Sequence, residues 1–251
     1  MIDLNQVSKS YKGKIVVDTV TIPIEKGKLT ACIGPNGAGK TTLLEMISRL
    51  VPKDTGEIYI DGGEIKSWKP GELAKKLSVL KQSNKFSMRL TIKELVSFGR
   101  FPYTKGRLNA HCYELIEQSL RQVGLIEIAD QYIDTLSGGQ LQRAMIAMVL
   151  AQDTDYILLD EPLNNLDMKY SVQLMDIIRT FVDEFGKTVI TVIHDINFAA
   201  AYADNLIAMK EGKVFAAGPV EQMITQQNIK NIFDIDVEVI DRKGKKFVMY
   251  Y

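Results

Sequence analysis

The sequence predicts an α/β fold with a parallel core sheet, an antiparallel β part near the N-terminus and a helical insertion in the middle. Short apolar segments alternate with helical ones in residues 29–80 and 156–210, which is typical of parallel strands covered by helices. Residues 91–151 carry apolar side chains three and four positions apart, which indicates helices. Residues 2–24 follow the alternation that favours strands.

The first third of the chain is predicted to form strands around one helix. A short apolar run stops there at glycine, and the helical pattern after it would end at Pro52. The predicted strands span residues 2–7, 16–24, 29–33, 57–60 and 77–80, and the predicted helix spans residues 41–50.

The middle of the chain is predicted to be helical, and the part after it is predicted to alternate between strands and helices. A turn-rich stretch, residues 99–109, separates the first two helices. A basic turn joins the two strands of a predicted hairpin in the last residues of the chain. The simplest interpretation of this turn is that its charged side chains are exposed to solvent. The predicted helices span residues 92–98, 113–123, 141–150, 169–184 and 196–203, the strands span 156–159, 188–193 and 206–210, and the hairpin spans 237–251.

Composition limits the class of protein. The 251 residues are 46% apolar and 25% charged, as in ordinary globular proteins. Lys plus Arg and Asp plus Glu both number 31, so nothing in the net charge favours nucleic acid binding. Cys32 and Cys112 do not form a metal-type pair, and the first residues resemble no secretion signal, so we expect a cytoplasmic location. No apolar run is long enough to span a membrane, so a membrane role would require a partner.

Residues 34–41 match the complete phosphate-loop pattern between a predicted strand and a predicted helix. Gly34, Gly37 and Gly39 would expose backbone N–H groups toward phosphates, and the helix N-terminus would add its positive end. Lys40 would reach the β- and γ-phosphates, and the Thr41 hydroxyl would bind Mg²⁺. The alternative is a glycine-rich turn that binds no ligand.

Two acids follow the apolar strand at residues 156–159. Carboxyl ends of parallel strands are where such sheets bind ligands. We therefore predict that Asp160 binds Mg²⁺ and that Glu161 is the general base or positions the attacking water. The alternative is that the pair caps the next helix.

Two further polar residues follow predicted strands. His194 leaves the strand at residues 188–193 and could contact a γ-phosphate or the attacking water. Gln82 follows the strand at residues 77–80 and could reach Mg²⁺ or the same water. The other histidine, His111, is predicted to lie on the surface in the turn-rich part of the insertion.

A second glycine-rich loop lacks a lysine. Ser137, Gly138 and Gly139 precede a predicted helix and could offer a hydroxyl, backbone N–H groups and a helix dipole to an anion. Such a loop suits a phosphate that a lysine elsewhere already binds. The alternative is an ordinary Ser-capped helix start.

Together these motifs resemble the ATP-binding cassette (ABC) ATPases, the nucleotide-hydrolysing subunits of ABC transporters. The resemblance covers nearly the whole chain in order, and a signature loop ahead of two strand-end acids is specific to that family. The matching motifs are Walker A with Asn36, Lys40 and Thr42, the Q-loop Gln82, the signature at 136–140 with Gln140, Walker B with Asp160 and Glu161, the D-loop at 164–167, and the switch histidine His194.

The resemblance implies a P-loop NTPase fold and a second copy of the chain. In that family two ATP molecules lie between two copies, and the signature loop of one copy contacts the γ-phosphate held by Walker A of the other. Ser137, Gly138, Gly139 and Gln140 would then bind the partner's ATP, whose lysine is the partner's Lys40. Tyr11 matches the aromatic residue that stacks on adenine.

The resemblance also implies a domain organisation. A single domain over residues 1–251 would consist of a nucleotide-binding core at 1–83 and 156–225, a helical subdomain at 84–155 and a C-terminal extension at 226–251. The partners would be membrane permease subunits and, indirectly, a substrate-binding protein. The chain would lie peripherally on the cytoplasmic face of the membrane.

The transported substrate is predicted from one segment and from the short C-terminal extension, which is similar to that of iron–siderophore importers. Residues 96–103 look like the corresponding segment of iron–siderophore importers, with haem and vitamin B12 importers as alternatives; the segment could also be simple core and turn. A soluble cassette ATPase of the repair or translation type is a further alternative, and Glu161 and His194 argue against a non-hydrolysing module. Asn164 and Asn165 depart from the family, where a small Ser or Thr and an Ala are commoner.

Overall fold

A computed structural model describes residues 1–81, 89–242 and 244–250. The chain divides into two units, the first formed by Met1–Trp68 with Thr188–Tyr251 and the second by Lys69–Lys187. The predicted subdomain boundaries stay a prediction. Within the described residues, no helix is long and apolar enough to cross a membrane.

The elements follow one another in three segments of chain. The first segment forms β1 (Ile2–Tyr11), β2 (Lys14–Ile24), β3 (Leu29–Ile33), α1 (Lys40–Ile47), β4 (Thr55–Ile60) and β5 (Gly63–Glu64). The second unit forms α2 (Pro70–Lys76), β6 (Leu77–Leu80), α3 (Ile92–Ser97), α4 (Phe101–Thr104), α5 (Ala110–Gln122), α6 (Gly138–Ala151), β7 (Tyr156–Asp160) and α7 (Met168–Asp183). The last segment returns to the first unit with β8 (Thr188–Val192), α8 (Ile196–Tyr202), β9 (Asn205–Lys210), β10 (Lys213–Pro219), α9 (Val220–Met223), α10 (Gln226–Phe233), β11 (Val237–Arg242) and β12 (Lys245–Tyr250).

The antiparallel part of the first unit is a sheet in the order β2-β1-β4-β5. Leu4 lies opposite Ile22 on one side and Ile58 on the other, and all three side chains are buried. Ile2, Leu4 and, after a shift in register, Val7 are the buried apolar residues of β1.

The parallel strands of the first unit are β9, β3 and β8, with β10 antiparallel beside β9. Every residue of β3 and β8 is buried. Cys32 lies opposite Val192 and Ile207, so the three strands end at the same edge. The residues that follow β3 and β8 therefore lie close together at this edge of the sheet.

The second unit contains a parallel pair, β6 and β7, and the predicted helical insertion. All five residues of β7 are buried. The helices α3, α5 and α6 pack on one another through buried side chains such as Leu95, Leu120 and Ala144. The predicted fold class is confirmed in both units.

Several elements differ from the prediction. Residues 101–104 form the short helix α4 inside the segment predicted to be turns. His111 lies in the first turn of α5 rather than in a turn region, although it is exposed as predicted. The elements α2, β10, α9 and α10 were not predicted from the sequence.

Candidate functional site

The phosphate loop follows β3 and lies close against backbone of its own unit. A Cβ on Gly34 would lie 2.1 Å from the carbonyl oxygen of Met209, and a Cβ on Gly39 would lie 2.5 Å from that of Val16. Gly34 and Gly39 have φ angles of 142° and 99°. At Gly37, with φ 79°, nothing lies within 4 Å of an added Cβ. Two of the glycines are therefore required by packing as well as by their backbone conformation.

The turn between β9 and β10 supports the phosphate loop. The Gly212 N–H donates to the Ala38 carbonyl at 3.2 Å, and the Gly212 carbonyl accepts from the Asp18 N–H at 2.8 Å. Sequence reasoning missed this support. The turn consists of Glu211 and Gly212, which both have positive φ and join two antiparallel strands. No local pattern in the sequence connects this turn with the phosphate loop.

The first turn of α1 is suited to an anion. The Lys40 side chain is buried, and its Nζ donates to the carbonyls of Gly34 at 2.8 Å and Pro35 at 3.0 Å. Among the helices of eight or more residues that the structure describes, α1 is the one whose N-cap, Gly39, makes no side-chain cap. Asn36 is exposed, and Thr41 and Thr42 are partly exposed. A phosphate can take the place of the missing cap.

His194 and Tyr11 also belong to the first unit. The Ile193 N–H donates to the Cys32 carbonyl at 3.2 Å, so the exposed His194 leaves β8 beside the end of β3, where the phosphate loop begins. Tyr11 ends β1 and is 43% exposed, with Lys9 Nζ 5.4 Å from the centroid of its ring. An exposed ring at this position can stack on a base.

The two strand-end acids belong to the second unit and have different surroundings. Asp160 is the buried last residue of β7, with 3% exposure. Glu161 is partly exposed and has a φ of 51°. Its Oε2 accepts a hydrogen bond of 2.5 Å from the Asn164 side-chain amide.

The signature loop starts α6 with a reciprocal cap. Ser137 Oγ accepts from the Gln140 N–H at 3.3 Å, and Gln140 Oε1 accepts from the Ser137 N–H at 2.9 Å. Ser137 and Gln140 therefore form a capping box at the start of this helix. The capping bond uses Ser137 Oγ as an acceptor, which leaves its hydrogen for a phosphate. Ser137 and Gly138 are exposed, Gly139 is partly exposed, and the first turn contains no acidic residue.

The segment of residues 96–103 has a structural role. A Cβ on Gly99 would lie 2.2 Å from the Met148 carbonyl oxygen, and the buried Arg100 donates to the Ala151 carbonyl at 2.8 Å. The segment is thus held against the C-terminus of α6. Phe98, Phe101 and Tyr103 remain 38–57% exposed.

The predicted Mg²⁺ ligands are only partly described. Gln82 lies outside the described residues. Thr41 and Asp160 offer hydroxyl and carboxylate oxygens, which is the chemistry Mg²⁺ prefers. Within residues 1–81, 89–242 and 244–250, no cluster of three or more His, Cys, Asp or Glu side chains could hold a metal by itself.

The fold and the phosphate loop define a P-loop NTPase. A model of the ABC transporter family matches residues 17–164. The chain is 53% identical, over the full length of both proteins, to the petrobactin import ATP-binding protein YclP of Bacillus subtilis (strain 168). It is 47% identical to the petrobactin import protein FatE of Bacillus anthracis, over 96% of each chain.

The chain therefore belongs to the ABC transporter family, and it is an ATP-binding, ATP-hydrolysing subunit of this family. It is also 38% identical to the ferric enterobactin transport protein FepC of Escherichia coli (strain K12), over 94% of this chain and 88% of FepC. Among solved structures it resembles the bacterial cassette MJ0796, described as dimeric, with a TM-score of 0.80 and 32% identity over 88% of this chain and 99% of that one.

Proposed function

We propose that this chain hydrolyses ATP to power the import of an iron–siderophore complex through a membrane permease. The observation that carries the proposal is the full-length 53% identity to a petrobactin import ATP-binding protein. The petrobactin import ATP-binding protein FatE and the ferric enterobactin transport ATP-binding protein FepC support the same class of substrate. A petrobactin-type complex is the first candidate within this class.

We assign the chemical roles as the motifs suggest. Lys40 and the backbone N–H groups of the phosphate loop bind the β- and γ-phosphates, and Tyr11 stacks on adenine. Thr41, Asp160 and Gln82 would hold Mg²⁺, which would neutralise charge on the phosphates. Glu161 accepts a proton from the attacking water, and His194 holds that water or the γ-phosphate. The buried position of Asp160 and the uncapped start of α1 support these roles.

We also infer how the subunit is assembled. Two copies bind two ATP molecules, and the signature loop of each copy contacts the γ-phosphate bound by the other. The dimer docks on permease subunits at the cytoplasmic face of the membrane, and a substrate-binding protein delivers the cargo. The dimeric cassette among the similar structures supports the first of these inferences.

The test is ATP hydrolysis by the reconstituted transporter. The chain is co-purified in nanodiscs with candidate permease subunits, and the substrate-binding protein is added empty or loaded. We expect ferric petrobactin to raise turnover several-fold and haem or vitamin B12 to leave it at the basal rate. Stimulation by haem or vitamin B12 instead would show that the chain belongs to an importer of that substrate. Failure to associate with any permease would contradict a role in transport.

A further inference from the structure

The loop after β7 holds the carboxylate of Glu161 by a side chain from its own turn. Asn164 Nδ2 donates to Glu161 Oε2 at 2.5 Å, and the Asn164 N–H donates to the Glu161 carbonyl at 3.2 Å. Asn164 thus contacts both the backbone and the side chain of Glu161. Hydrogen bonds to an ionised acceptor are shorter and stronger than neutral ones, so this bond restricts the rotamers of Glu161.

The backbone of the same loop is in an unusual conformation. Glu161 and Asn165 have φ angles of 51° and 64°. Asn tolerates this left-handed region better than most residues, whereas Glu has no such preference. The conformation at Glu161 therefore depends on bonds made by its neighbours, and Asn164 supplies two of them.

The signature helix α6 anchors the other side of this loop. Gln142 Nε2 donates to the carbonyl of Pro162, the residue after Glu161, at 2.9 Å. An added Cβ on Gly139 would lie 3.5 Å from Leu166 Cδ2, so the start of the helix also contacts the end of the loop. A movement of α6 would be transmitted to the residues that orient Glu161.

We propose that Asn164 is a positioning residue for ATP hydrolysis, because it orients the Glu161 carboxylate. We also propose that Gln142 couples this orientation to the position of the signature helix α6. The proposal rests on the catalytic role proposed for Glu161. It gives a reason for Asn at a position where the family more often has a small Ser or Thr, whose side chain is shorter. Each copy would thereby couple its signature loop, which contacts the ATP bound by the partner, to its own Glu161, which acts on the ATP bound by the same copy.

The test compares Asn164→Ala and the isosteric Asn164→Asp with the unchanged chain in Mg-ATP hydrolysis. Both substitutions remove the donor, so kcat should fall about tenfold while KM for ATP stays within about twofold, because a misaimed base affects the reaction and not ground-state binding. Asp should be at least as harmful as Ala, since it places a second carboxylate against Glu161. A role through volume alone would spare Asn164→Asp. Wild-type kcat in both variants would overturn the proposal.

A double-mutant cycle separates this proposal from the proposed function. The Glu161→Ala variant should itself have almost no turnover. In this background Asn164→Ala should change the residual rate by less than about twofold, because the carboxylate that Asn164 orients is absent. If Glu161→Ala kept the wild-type rate, the catalytic role of Glu161 would fail. If Glu161→Ala were inactive and Asn164→Ala fully active, the positioning role alone would fail.

The connection to the signature helix has its own variant. Gln142→Glu keeps the size of the side chain but replaces the donor to the Pro162 carbonyl by an acceptor. We expect kcat to fall several-fold, while the ATP affinity of the isolated subunit stays close to wild type. An unchanged kcat would overturn the connection to α6.

Discussion

The glycines of the phosphate loop are required for different structural reasons. Gly34 and Gly39 lie against backbone carbonyls of Met209 and Val16, whereas Gly37 faces open space. The sequence pattern explains all three by access of N–H groups to phosphate. The structure adds that the first and last are also required by contacts inside the protein.

This difference predicts unequal effects of a single methyl group. Gly34→Ala should lower the free energy of unfolding by about 3 kcal/mol and abolish ATP binding, because a backbone carbonyl 2.1 Å away has to move. Gly37→Ala is the matched control and should cost only about 1 kcal/mol, from its positive φ. Urea unfolding and titration with a fluorescent ATP analogue measure both. Equal destabilisation would contradict the packing role of Gly34.

The two asparagines of the D-loop also have separate explanations. Asn165 adopts the left-handed conformation, which Asn tolerates better than the Ala common in the family. Asn164 donates to Glu161. The departure from the family pattern is thus explained at both positions by local geometry.

At the scale of elements, the signature helix α6 is bound at both ends. Ser137 and Gln140 cap its start, while Arg100 donates to the carbonyl of Ala151, its last residue. Arg100 belongs to the segment from which the siderophore class was predicted. The same segment therefore fixes the helix whose start we expect to contact the partner's ATP.

Two substitutions of Ser137 should separate the cap from the contact with ATP. Ser137→Ala removes the cap and should destabilise the subunit by about 1 kcal/mol. Ser137→Arg should leave ATP binding to the monomer nearly intact but block turnover, since the bulky cation would occupy the place of the partner's phosphate. Nucleotide titration of the monomer and the rate of phosphate release measure the two effects. Loss of monomer binding in Ser137→Arg would place the loop in the chain's own ATP site.

The elements predicted best are those buried on every side. The strands β3, β7 and β8 are continuous apolar runs because all their residues are buried. In contrast, β10 contains no buried residue and α2 buries only Leu73, so neither has a periodic apolar signal.

The residues of the candidate site differ in how they can be found from the sequence. Its motif residues are local sequence patterns and could be found directly. The contacts of Gly212 with Ala38 and Asp18, and of Gln142 with Pro162, join positions far apart in sequence. No local pattern contains such pairs, so only the folded chain reveals them.

At the scale of the whole molecule, the proposed dimer can be measured directly. The Glu161→Gln variant should hydrolyse ATP too slowly to reopen the closed state, so Mg-ATP should convert a 28.2 kDa monomer into a species of twice that mass. Light scattering after size exclusion, with and without Mg-ATP, measures this change. The same variant carrying Ser137→Arg is the control and should stay monomeric. A monomer under all conditions would mean that dimerisation requires the permease.

The contacts of the phosphate loop also determine when it can form during synthesis. The loop is complete in the chain by residue 41, but Met209 and Gly212, which lie against Gly34 and Ala38, are translated some 170 residues later. A ribosome therefore exposes the loop long before the chain can give it its final shape. We therefore expect the nascent subunit to acquire its complete phosphate site only when translation is nearly finished.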